Sequence, residues 1–150
     1  MKRLFIVIII LLYFCLSGKS QDYITGAGAR IGDGISATIK HFVDQDKALE
    51  LIMDFRAGLS IIFVMTVHQP LSRNQSRLNW YYGFGGYIYF SNTNDKDTFV
   101  GIAGAIGVEY TLPNKKFAFS MDWNPVISLI GDLGGFNGRY GGVTARYILQ

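Results

Sequence analysis

Residues 78–90 alternate with a period of two. Leu78, Trp80, Tyr82, Phe84, Gly86, Ile88 and Phe90 occupy one row, and Asn79, Gly83 and Gly85 stand in the other. Residues 100–112 repeat the pattern, with Val100, Ile102, Gly104, Ile106, Val108, Tyr110 and Leu112 opposed to Gly101, Ala103, Ala105, Gly107, Glu109 and Thr111. A two-residue period puts successive side chains on opposite faces of an extended strand and is incompatible with a helical stripe. The polar stretch SNTNDKDT between the two runs is turn-forming. Two long strands joined as a hairpin are therefore the minimum this chain must build.

Six further strands follow from the same reading, at 23–32, 35–43, 48–57, 59–68, 117–130 and 139–149. Gly32-Asp33-Gly34, Asp44-Gln45-Asp46, Ala57-Gly58, QPLSRNQSR, Pro113-Asn114 and GDLGGFNG at 131–138 supply the connections. Strands of roughly ten residues exceed the ~5–6 usual in globular proteins. They match the ~9–11 residues of a tilted strand crossing a bilayer, and an even strand number suits a single-chain membrane barrel. The expected fold is all-β: an eight-stranded antiparallel up-and-down transmembrane barrel.

A different segment precedes it. Lys2 and Arg3 are followed by an unbroken apolar run over residues 4–16, then by the small residues Gly18 and Ser20 before Gln21. This is the pattern of a cleavable secretory signal, and the run is shorter than the ~20 residues of a membrane-spanning helix. Cys15 is preceded by Phe14, where lipid attachment requires a small residue, so it leaves with the signal. The expected division is a signal peptide at 1–20 and one barrel domain at 21–150.

Without Lys2, Arg3 and Lys19, the 14 Lys and Arg fall to 11, equal to the 11 Asp and Glu. The basic character thus belongs to the signal and gives no reason to expect a nucleic-acid partner. No cysteine remains for disulfide or thiolate chemistry.

The contrast between the two faces selects the class of barrel. One face carries Leu49, Leu51, Met53 and Phe55, then Leu59, Ile61, Phe63, Met65 and Val67. It continues through the two runs above to Phe117, Phe119, Met121, Trp123, Ile127 and Leu129, with no charge among them. The other face is rich in Gly, Ala and Ser, and only 17% of the chain is charged. Eight strands enclose a lumen just wide enough for side chains to fill, so the small face belongs inside and the bulky face against lipid. A soluble lipocalin-like carrier, the competing reading, reverses that assignment.

By parity the inward face also receives Arg30, Lys40, Arg56 and Arg146 together with Glu50, Asp54, Glu109 and Asp122. Buried charges persist when paired and hydrogen-bonded. An interior ion-pair network that plugs the lumen is expected rather than a pore.

After export both termini of an even-stranded barrel face the periplasm. Trp80, Tyr82, Tyr110, Phe117, Phe119, Tyr147 and Tyr23 then gather near that rim. Phe55, Phe90 and Phe99 mark the other, and Trp123 joins the interfacial aromatics. One feature runs against the usual pattern: the outer connections at 32–34 and 57–58 are tight, whereas QPLSRNQSR is long on the periplasmic side.

Motifs of chemistry are sparse. GAGARIG at 26–32 has Ile31 where a dinucleotide loop needs its third glycine, and no helix follows. His41 and His68 lie on different strands at their periplasmic ends, without metal-ligand spacing, and are expected to be interfacial or turn histidines. An acyl hydrolase or transferase acting on lipid needs nucleophile and base in contact at the outer rim. No catalytic set, cofactor or metal is expected.

The segments LNWYYGFGGYIYF, VGIAGAIGVEYTLPNKKFAFSMDWNPVISLIG and GGVTARYIL resemble the second half of small outer-membrane β-barrels of Gram-negative bacteria, the OmpX- and OmpA-like barrel domains. The resemblance covers the chain after the signal, through pattern rather than an invariant motif. It implies an outer-membrane location, lipid as the surrounding partner and the barrel-assembly machinery as the partner during insertion. Such proteins end in an aromatic residue; Tyr147 keeps that spacing, but the sequence closes on Leu149-Gln150. A structural or surface-contact role is the expected function, with a lipid-modifying enzyme as the alternative.

Overall fold

A computed structural model describes residues 24–55, 58–72, 75–92, 98–130 and 135–149. The signal segment at 1–20, Tyr23 and Arg56 lie outside the described residues.

Ten β segments make eight staves. The first six staves are β1 (Thr25–Gly32), β2 (Ile35–Phe42), β3 (Lys47–Asp54), β4 (Gly58–Ser72), β5 (Gln75–Ser91) and β6 (Thr98–Thr111). The seventh is β7 (Phe117–Trp123) continued by β8 (Val126–Ile130), and the eighth is β9 (Gly135–Asn137) continued by β10 (Gly141–Ile148). Each stave pairs antiparallel with the next, and β1 closes on β10 in a register running from Gly26↔Ile148 to Gly32↔Gly142. The result is a closed eight-stranded antiparallel barrel. Closure matters energetically, because it leaves no free edge along the paired length. Beyond the rims pairing is one-sided: β9 bonds only to β8.

The turn chemistry agrees with the expected order. At the end where β1 starts and β10 finishes, hereafter the near end, Val43 and Asp44 donate their amides to the Lys47 carbonyl (2.9 and 3.2 Å). The β6–β7 turn is closed by Leu112 donating to the Phe117 carbonyl (2.9 Å), with Lys115 in the left-handed region at φ 53°. The Asn114 side-chain oxygen accepts the Lys116 amide (3.0 Å), which fixes that turn.

The described residues of QPLSRNQSR, 69–72 and 75–77, are strand rather than loop. β4 and β5 run on through it as a hairpin, from Gly58↔Ser91 to Ser72↔Gln75, with an irregularity between Pro70 and Ser72. Pairing with β3 stops at Lys47↔Val67 and with β6 at Leu78↔Tyr110. The ribbon's last residues therefore stand beyond the rim. Alternation does not register this extension, because it is mostly polar and its two apolar residues, Pro70 and Leu71, are adjacent rather than alternating.

The two last staves are each interrupted. Asn124-Pro125 separates β7 from β8, because Pro125 has no amide to give the ladder. The wall is held there by Asn124 donating to the Tyr140 carbonyl (2.9 Å) and Gly104 to the Pro125 carbonyl (2.8 Å). Across the gap, the eighth stave begins at Gly135 rather than Arg139, so part of the expected loop at 131–138 is strand.

The bulky row faces outward, with Phe84 73%, Leu129 67% and Met121 61% exposed. The interior is less uniformly small than its glycines suggest. In β5, Tyr81 and Tyr87 are buried and alternate with Gly83 and Gly85. Large rings from one strand are accommodated by small residues on the next. A Cβ on Gly107 would lie 2.7 Å from the Tyr81 ring and hydroxyl and 2.6 Å from the Met121 carbonyl. Gly107→Ala is expected to cost about 1–3 kcal/mol through overpacking, measured as a lower urea midpoint for loss of the folded form in micelles. Phe99 corrects the expected rim assignment: it is buried on the inward row and stacks on Tyr89 (5.8 Å). With Val100 outward, its immediate neighbour must point inward.

Candidate functional site

The lumen holds seven of the eight expected charges, and six of them form two paired clusters. In the lower cluster, nearest the near end, Lys40 from β2 bonds Glu50 of β3 (3.2 Å) and reaches Glu109 of β6 (3.0 Å). Arg146 from β10 bonds the same two carboxylates, Glu109 at 2.9 Å and Glu50 through its second Nη. Two cations and two anions thus close a ring of contacts from four staves. Lys40 and Arg146 are both fully buried. Thr38 donates to Glu50 (2.8 Å), Arg146 donates to Ser120 (2.8 Å), and the Lys40 ammonium sits 4.2 Å from the Tyr81 ring centroid.

The second cluster lies one layer further in. Arg30 donates through Nε and Nη2 to Asp122 Oδ1 (3.0 and 2.6 Å), and through Nη2 to Asn124 Oδ1 (3.1 Å) and the Tyr140 carbonyl (2.8 Å). The Tyr81 hydroxyl donates to the other Asp122 oxygen (3.1 Å). Tyr81 therefore bridges the two clusters, with its ring under Lys40 and its hydroxyl on Asp122. Arg30 also serves the strand break, because Asn124 and the Tyr140 carbonyl flank that interruption.

Nearer the far end, Asp54 accepts from Ser36 (3.0 Å). Arg56, expected in the same network, is outside the described residues. Toward the far end the lumen becomes apolar: Ile52, Ile62, Val64, Tyr87, Ala103, Ala105, Val126 and Tyr140 pack together, and the Tyr87 and Tyr140 hydroxyls share a hydrogen bond (3.0 Å). Charged, mixed and apolar layers of side chains follow one another along the axis.

Parity reveals the charged set but not its supporting groups. Tyr81 lies in the inward row of β5 and was accessible to the same reasoning. Asn124 and Tyr140 were not, since their roles arise from a break that alternation does not encode. His68 is a correction. It is not interfacial but lies inside the lumen, between Phe42 (4.9 Å) and a stacked Tyr81 (4.7 Å), with its Nε2 by the Thr66 hydroxyl (3.2 Å). His41 is on the other side of the wall, its Nδ1 2.9 Å from the Thr25 hydroxyl. The structure does not bring the two imidazoles together.

On the outer face, Trp80 stacks on Tyr82 (5.3 Å) and Phe117 meets Tyr147 edge-on (5.4 Å). Tyr110 is in register with Leu78 on one side and Phe119 on the other. These residues form a continuous arc over β5, β6, β7 and β10 at the near end. Trp123 is also exposed, but six residues further along its stave than Phe117, where its indole donates to the Gly138 carbonyl across the gap (2.7 Å) and faces Phe136 (6.4 Å).

Compared with protein-family models the chain matches none, and no curated protein matches it either.

Proposed function

We propose that this chain is an integral outer-membrane β-barrel with a closed lumen, acting as a structural or surface-contact element rather than a channel. The observation that carries this reading is the inversion of the usual polarity. Charges are buried and paired inside, while Phe63, Phe84, Ile102, Ile106, Met121 and Leu129 are exposed outside. A contiguous apolar surface of that extent is unfavourable in water and favourable in lipid. Side chains from β2, β3, β6 and β10 meet in the ion-pair quartet, which supports a lumen plugged by its own side chains.

Cell fractionation tests the location. The folded, heat-modifiable protein is expected in the outer-membrane fraction, and its recovery from the soluble periplasm would overturn the reading. For the closed lumen, addition of the purified protein to a planar bilayer is expected to give no discrete conductance steps; steady opening to an ohmic level would contradict it.

A further inference from the structure

The near-end rim is electrically lopsided. The sequence of 69–79 and 110–119, at the near-end connections of β4 to β5 and β6 to β7, contains no Asp or Glu. Arg77, Lys115 and Lys116 are exposed there. The one carboxylate close by in sequence, Glu109, is turned into the lumen and held by Lys40 and Arg146. Among the described residues, the acids at that end, Asp44 and Asp46, belong to the β2–β3 turn, on the other half of the barrel. At the opposite end, the sequence of 91–98 and 131–138 has three aspartates, Asp95, Asp97 and Asp132, against Lys96.

The cations directly adjoin the aromatic arc. Arg77 precedes Leu78, and Lys115-Lys116 precede Phe117. Beneath them Leu78, Tyr110 and Phe119 are in register across three staves, with Trp80–Tyr82 and Phe117–Tyr147 in ring contact. Amphipathic rings settle at the boundary of hydrocarbon and headgroup, and Lys and Arg extend their charges from there to the phosphate level. Each such cation near an anionic surface contributes a favourable term equivalent to about fivefold in affinity.

We infer that this arc is a binding surface for anionic glycerophospholipid headgroups of the leaflet at the near end, with Lys115 and Lys116 as the charge-reading residues. This rests on the outer-membrane reading above and adds a lipid class and a side. Neutral phospholipid offers the rings the same boundary but no net charge to the cations. The surface therefore enriches anionic lipid in the first shell beside β5–β7, not around the whole barrel.

The full chain after the signal, carrying Trp123→Phe so that Trp80 is the sole tryptophan, is refolded into phosphatidylcholine vesicles. Each preparation carries a fixed fraction of brominated phosphatidylcholine or of brominated phosphatidylglycerol. Phosphatidylglycerol is expected to quench Trp80 with several-fold higher relative affinity, and Lys115→Gln with Lys116→Gln to bring the two lipids to within about twofold. Equal quenching by both lipids, or a preference untouched by the lysine changes, overturns the inference while leaving the membrane barrel standing. Failure to insert into any vesicle overturns the barrel reading and the inference together. Anionic phospholipid carried through purification, counted by native mass spectrometry on the unaltered protein and on the double lysine variant, is expected to fall with the lysines; equal counts overturn the inference.

Discussion

Arg146→Met is expected to destabilise the folded barrel by about 3–5 kcal/mol, because it leaves Glu50 and Glu109 with only Lys40 between them. The guanidinium is fully buried, so water cannot replace it without entering the lumen. The penalty is mostly that of stranding charge, not the net value of the pairs. Replacing Lys40, Glu50, Glu109 and Arg146 together with apolar residues of similar volume should therefore cost far less than the single change, and a small gain in stability is allowed. Urea unfolding in vesicles, followed by the shift between folded and unfolded bands on unheated gels, separates these outcomes. A single variant as stable as the wild type would mean that the lumen is wet enough to solvate the orphaned carboxylates. The plug would then be looser than its distances indicate.

Phe84→Arg is expected to cost about 2–4 kcal/mol in a bilayer, the depth-dependent penalty for a cation on the lipid face. Phe84 is the most exposed of the large outward side chains, mid-way along β5 and in register with Met65 and Gly104. In water the same change would be nearly neutral, since an exposed phenylalanine contributes little to a soluble fold. The size of the effect thus depends on the solvent against the outer wall. Its measure is the urea midpoint in vesicles for the variant against the wild type.

Much of this architecture was legible because a barrel wall is a period-two object. Alternation alone yields the eight staves, their antiparallel order and the side of the wall on which Arg30, Lys40, Glu50, Asp54, Glu109, Asp122 and Arg146 fall. Where the pattern fades, the reading fades with it. The β4–β5 ribbon past Gln69 is mostly polar and places Pro70 beside Leu71, so it has no alternation and it reads as a loop. Pro125 interrupts the seventh stave without changing the parity of Val126, Ile127 and Ser128, so the break is silent in the pattern. The resulting role of Arg30 in bonding Asn124 and the Tyr140 carbonyl is equally silent. Phe99 and His68 depart from expectation for a different reason: residue type suggests an interface, whereas parity decides the side of the wall. Their neighbours Val100 and Val67 belong to the outer row, which puts both rings inside.

The pairing of charges across the lumen also could not be read from sequence separation. Glu50 and Arg146 lie 96 residues apart in sequence, and Lys40 reaches Glu109 across the barrel, with three staves intervening on either side. Which cation meets which anion depends on how strand tilt staggers the staves. The list of inward charges was available; their partners required the closed register.

The central claim, that lipid is the solvent of the outer wall, is tested most directly by refolding. The chain from residue 21 onward, unfolded in urea, is diluted either into buffer or into phospholipid vesicles. Heat-modifiable, protease-resistant protein is predicted only where vesicles are present, with aggregated or protease-sensitive chain in buffer. A monomeric, cooperatively unfolding barrel obtained in buffer without lipid or detergent would contradict the account.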